Sequence, residues 1–131
     1  MRREFRLPES DETFLNALGR PWETIGNGRG RWLFIHERRV PTGYNVGTAS
    51  EAYRIDVGYP DTQIDMVYFL PHLSRVDGCV IGALSVEQIE GQQWQRWSRH
   101  RTPEYPWRPG EDDISTHLVL VDHWLEREFR R

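Results

Sequence analysis

Apolar positions recur at helical spacing near both ends of the chain and alternate through its middle, a pattern that predicts helices flanking a β-sheet. Ser10 precedes Asp11 and Glu12, then Phe14, Leu15 and Leu18, and Gly19 with Pro21 stops the run. A hydroxyl cap, an acidic first turn and a terminal breaker predict a short helix over residues 11–18. Residues 22–25 and 31–36 flank Gly26-Asn27-Gly28-Arg29-Gly30, where Gly and Asn accept positive φ. They should pair as a hairpin, with Trp32, Phe34 and His36 on one face. After the Pro41-Thr42-Gly43 turn, residues 52–57 set Tyr53, Ile55 and Val57 on one side, and residues 63–70 form another β-rich run beyond Gly58-Tyr59-Pro60-Asp61. The expectation is an α+β fold: an antiparallel meander of four strands with one face open to helices.

Between Pro71 and Gly110 periodicity fades. Residues 85–89 read as one or two helical turns, and the rest reads as a long loop, which in a compact domain points to function. Arg96, Arg99, Arg101 and Arg108 against Glu104 leave residues 92–110 with a local charge of +3. Beyond Asp112 the spacing of Ile114, Leu118, Val121 and Leu125, widened by His117, Trp124 and Phe129, predicts a C-terminal helix. Asp112 or Asp113 can cap its start, and Arg127, Arg130 and Arg131 complement the dipole at its end. All 131 residues fit a single domain.

Composition narrows the function classes. With 37% hydrophobic and 28% charged residues the chain can build a core, and a net charge of −3 gives no general attraction to nucleic acid or to an anionic membrane. No apolar run approaches a bilayer span and Met1-Arg2-Arg3-Glu4 leads into no signal region, so a cytoplasmic protein is expected. The single cysteine, Cys79, excludes an internal disulfide. There is no GxGxxG, GxxxxGK[ST], GxSxG or HExxH, and His36, His72, His100, His117 and His123 show no short ligand spacing. Neither a cofactor nor a metal is expected.

Tyr59-Pro60, Pro71-His72-Leu73, Asp77-Gly78 and Trp107-Arg108-Pro109 before the last helix follow an order that resembles ubiquitin-conjugating enzymes. LPESDETFLNALGRPWE, VGYPD, WQRWSRHRTP and WRPGEDDISTHL are similar to a bacterial branch of that superfamily, the prokaryotic family E, over nearly the whole chain. The resemblance implies a UBC-like fold and an acyl carrier. Such a carrier accepts the C-terminus of a ubiquitin-like protein from a ThiF-like activating enzyme and passes it to a target, in operons linked to antiphage defence. Two departures stand out. Leu73 occupies the place of an asparagine that would donate to an oxyanion, and Cys79 precedes the usual cysteine position, which falls near Ile81-Gly82.

The candidate residues follow. Cys79 is the one thiol available for a thioester, or else a small apolar filler. Ser98 and His100 share one side of an extended Trp97-Ser98-Arg99-His100-Arg101, as nucleophile and base for an oxyester or as part of a solvated loop. Trp97, Arg99, Arg101, Trp107 and Arg108 are interface anchors suited to carboxylates, or packing and solubility residues. His72 holds a loop, while Asp112 and Asp113 orient an attacking group or simply cap the helix. All 17 basic residues are arginine. A GC-rich coding bias explains this, as does selection against amines beside an activated acyl group. The other reading is a catalytically inactive adaptor that holds the ubiquitin-like protein or the activating enzyme.

Overall fold

The computed structural model describes residues 1–27 and 30–130. Gly28 and Arg29 of the anticipated turn, and Arg131 at the end of the last helix, lie outside the described residues. Helix α1 spans Glu9–Ala17 and starts earlier than expected: Pro8 is its N-cap, no side chain caps it, and Ser10 sits inside the first turn. Pro suits such a start, because its missing N–H would have no intrahelical partner. Glu9, Asp11 and Glu12 line that turn. Helix α2 spans Ile114–Arg127, with a reciprocal box between Asp113 and Thr116 at its start and a 3₁₀ turn, Glu128–Arg130, at its end. Among the described residues no helix is long and apolar enough to cross a membrane.

Among the described residues the sheet has six strands where the sequence pattern suggested four: β1 (Trp22–Asn27), β2 (Gly30–Arg39), β3 (Thr48–Arg54), β4 (Val67–Leu70), β5 (Leu84–Ile89) and β6 (Gln92–Trp97). Their order is β1-β2-β3-β4-β6-β5, antiparallel throughout. Residues 85–89 are thus strand rather than helical turn, and residues 84–97 of the anticipated loop form a hairpin. Strand β6 escaped the period-two test because it buries side chains on both faces. Trp94 points one way and Trp97 the other, and Gln95 takes a buried position on the side of Trp97. Its amide is satisfied there, accepting from Leu73 N–H and donating to Leu73 C=O. The β5–β6 turn uses Glu90 and Gly91, both at positive φ, the requirement of a tight two-residue hairpin.

One face of the sheet packs under the helices. Leu33, Ile35, Tyr53, Val67, Phe69 and Trp97 meet Leu15, Val121, Trp124 and Leu125 in the larger core. The opposite face carries a second core of Ile25, Trp32, Phe34, Ala52, Tyr68, Ile89 and Trp94. Strands β2 and β6 stand three places apart in the sheet, about 14 Å if it were flat. The Phe34 and Trp94 ring centroids are nevertheless 4.9 Å apart. The sheet must therefore curl across this face, consistent with its native twist, and a salt bridge from Arg2 to Glu90 ties the arm beside β1 to the β5–β6 turn.

Candidate functional site

The chain crosses the helix side of the sheet from β4 to β5 through residues 71–83, with Leu73 and Ile81 buried as anchors. Several clamps hold this crossing. Asn45 donates from its amide to His72 C=O and accepts from Ser74 N–H, gripping both sides of Leu73. His72 donates from Nε2 to Gln93 C=O. Arg75 pairs with Asp77, donates to Glu128 C=O and lies over the Phe129 ring at 4.6 Å. Gly43 makes that ring placement possible: a Cβ there would come within 2.7 Å of Phe129, and φ is +113°.

Cys79 stands exposed at the tip of this braced segment, one residue beyond Gly78 at φ +80°. Its N–H donates to Asp77 Oδ1 at 2.9 Å. The Arg75 guanidinium, together with that N–H, holds the Asp77 carboxyl below its usual range. The carboxylate therefore remains an acceptor for both partners, and the turn presenting the thiol is fixed by charge-assisted hydrogen bonds.

The segment from Ser98 to Arg101 divides its side chains between two directions. Ser98 N–H donates to Ala83 C=O. Arg99 donates to Gly82 C=O at 3.0 Å and pairs with Glu128 at 3.3 Å, beside the Trp97 ring. Arg101 donates to His117 Nδ1 at 2.9 Å and lies over the Trp107 ring at 4.7 Å. Burial lowers the Arg101 pKa. With both arginines turned inward, His100 is exposed and sets Nδ1 2.9 Å from Asp65 Oδ2, leaving Nε2 as its accessible nitrogen.

His117 is buried and donates from Nε2 to Met66 C=O. Desolvation pushes its pKa down to about 4, so it is neutral at physiological pH and its Nδ1 lone pair is open to Arg101. Trp107 donates to Pro60 C=O. Asp113 caps α2, while Asp112 accepts from Arg108 N–H at 2.7 Å and shapes the loop before it. The Arg108 side chain stays exposed.

Glu128 links the two segments, because its carbonyl takes Arg75 and its carboxylate takes Arg99. His100 belongs to another surface, a groove of about 700 Å³ between residues 100–112 and α2, lined by Arg101, Tyr105, His123 and Trp124 among others. Cys79 and Ser98 do not appear among the described residues lining it. The structure thus joins Arg99 to the braced crossing and turns His100 to Asp65. Sequence reading missed Asn45, Asp65, Gln95 and Glu128. Asn45 and Glu128 lie 27 or more residues from the partners they hold, and none of the four belongs to a short motif.

Comparison with known proteins adds one match. The model of prokaryotic E2 family E matches residues 7–128. No curated protein and no solved structure matches the chain.

Proposed function

The chain belongs to prokaryotic E2 family E, and from that premise we propose that it carries the activated C-terminus of a ubiquitin-like protein, received from a ThiF-like activating enzyme, to a target. The observation that carries this reading is the exposed Cys79 on a turn braced by Asp77 and Arg75. The thiolate form of cysteine is intrinsically nucleophilic, and the exposed Sγ is open to an incoming carbonyl. Cys79 Sγ attacks the activated carbonyl carbon, breaks the bond by which the tail is held on the activating enzyme so that the activating group leaves, and holds the tail as a thioester. An incoming amine or hydroxyl then attacks that carbon and expels the thiolate. Arg99, beside the braced crossing, and Arg101, Arg108 and Trp107, around the separate groove that His100 lines, are proposed to set the surface that the partner meets; Trp97, anticipated as an interface anchor, is fully buried and packs the core instead. The scarcity of amines fits: without lysine, a loaded chain has no ε-amine of its own to modify.

A second reading, an adaptor without acyl chemistry, draws on Leu73. It is 2% exposed and locked to Gln95 where the resemblance expects an amide donor. Incubation with the cognate activating enzyme, ATP and the ubiquitin-like protein separates the two. The carrier reading expects a reductant-sensitive adduct that is lost in Cys79→Ala and becomes reductant-resistant but hydroxylamine-labile in Cys79→Ser. An adduct that persists in Cys79→Ala and disappears in Ser98→Ala moves the ester to Ser98. Binding without any adduct leaves the adaptor.

A further inference from the structure

Three side chains capable of acyl chemistry meet on the curled face of the sheet, away from both helices. Glu23 on β1 pairs in register with Phe34, and His36 on β2 lies edge-on to the Phe34 ring, 6.4 Å between centroids. Ser50 on β3 neighbours Glu51, which points to the helix side. His36 Nε2 is 2.7 Å from Glu23 Oε2, and His36 Nδ1 is 2.7 Å from Ser50 Oγ. A carboxylate only accepts, so Nε2 carries the ring proton and donates to Glu23, and Nδ1 accepts the Ser50 hydroxyl proton. The imidazole is thereby fixed in the one tautomer able to deprotonate the serine, with a carboxylate behind it to stabilise the imidazolium.

The backbone is shaped for this meeting. Register slips between Ile35 and Arg38, and Glu37 adopts φ 59°, so a bulge sits immediately after His36. Bulges re-aim side chains and are found beside reactive sites. Burial favours the neutral acid at Glu23, yet the His36 bond, helped by Arg2, holds its carboxyl below the usual range. His36 keeps a quarter of its side-chain surface exposed and Ser50 is partly exposed, so the chain of groups is reachable from solvent. Leu70, opposite Ser50 in the β3–β4 register, and Phe34 supply adjoining apolar surface.

We infer that Ser50 is a second nucleophile of this protein, with His36 as its base and Glu23 orienting His36, and that it accepts short aliphatic acyl groups from activated carboxylic esters and thioesters. Ser50 Oγ bonds to the carbonyl carbon as its proton passes to His36 Nδ1. Collapse of the tetrahedral intermediate breaks the bond to the alkoxide or thiolate, which leaves with that proton. Water then attacks the Ser50 ester, giving a proton to His36. The carboxylic acid departs and Ser50 Oγ regains the proton. None of these steps uses Cys79, so the inference stands independently of the acyl-carrier reading.

An alkyl fluorophosphonate tests it, since the serine oxygen bonds to phosphorus as fluoride leaves. Peptide mapping of the full chain should place the label on Ser50. Glu23→Gln should slow labelling by about a hundredfold, the scale of a lost general-base arrangement. It should also move the midpoint of the labelling-rate pH profile to lower pH, because the imidazolium loses its carboxylate. Ser50→Ala should abolish the label while melting like the wild type. If that variant fails to fold, the mapped position in the wild-type chain decides. Labelling of Ser50 no faster than of Ser85 and Ser98, or a rate and midpoint unchanged in Glu23→Gln, overturns the inference.

Discussion

The two faces of the sheet become dry by different routes. On the helix side, α1 and α2 close over the strands and enclose charge as well as hydrocarbon. Glu51, fully buried, accepts from Arg20 at 2.5 Å and Arg38 at 2.9 Å and takes the Tyr53 hydroxyl, while Arg38 continues to Asp122. Asp11, His117 and Glu128 are buried on that side too. The other face has no helix over it among the described residues. It closes by curvature, with Phe34 on Trp94 and Trp32 edge-on to Tyr68 at 5.0 Å. A surface closed by helices can bury ionised groups, because helix residues supply partners from above; the surface closed on itself buries neutral rings and leaves its charged groups, Glu23, Glu87 and Arg96, partly exposed. The helix side should therefore respond to pH, and the curled side to the loss of volume.

Removing the ring at the centre of the curled face is the severest way to break this contrast. Trp94 is 2% exposed and lies 4.9 Å from Phe34. Trp94→Ala should cost about 4 kcal/mol of unfolding free energy in urea, with a loss nearly independent of pH between 5 and 8. A loss below about 1 kcal/mol would mean that the curl is not closed around this side chain.

Acid sharpens the comparison from the other side. His117 has a folded pKa of about 4 against an ordinary 6.5, so folding disfavours its protonation. Its neutral state supports the fold fully above pH 6.5, and that support declines as pH falls toward 4, by about 3 kcal/mol in all. Asp11, whose carboxyl is pushed up by burial, works in the opposite sense in acid, since its protonation favours the folded state. The difference between wild type and His117→Phe isolates the imidazole: unfolding midpoints should converge as pH falls below 6.5. Parallel curves would show that His117 titrates alike in both states.

The smallest effect concerns how the helical cover is attached. Asp113 Oδ1 accepts from Thr116 N–H, and Thr116 Oγ1 accepts from Asp113 N–H. Asp113→Ala should cost about 1 kcal/mol in thermal or urea unfolding. A cost indistinguishable from zero would mean that tertiary packing alone sets the start of α2.

These differences explain what the sequence made legible. Helix α2 carries its signals locally, in the Asp113 cap and the apolar spacing from Ile114 to Leu125. Strand β6 does not, because its neighbour in the core is the backbone of Leu73 and the residue it sends there is Gln95, a polar amide that breaks alternation. The site divides the same way. Cys79 and its Asp77-Gly78 turn are contiguous and were visible, as were His100 and the arginines on either side of it. Asp65 lies 35 residues from His100, and the line from Glu23 through His36 to Ser50 runs across three strands. Register creates those meetings, and register followed from a curl and a bulge that hydrophobic patterning does not encode.

Glu128 imposes a timetable. Its carbonyl and carboxylate grip Arg75 and Arg99, which arise 53 and 29 positions earlier. During synthesis the Arg75–Asp77 clamp at Cys79 therefore emerges well before the Glu128 carbonyl that anchors Arg75 to the helical end. A nascent chain halted ahead of Glu128 would keep the local clamp and lack only that tie, so the thiol's turn and its attachment to the body of the molecule are acquired at different moments.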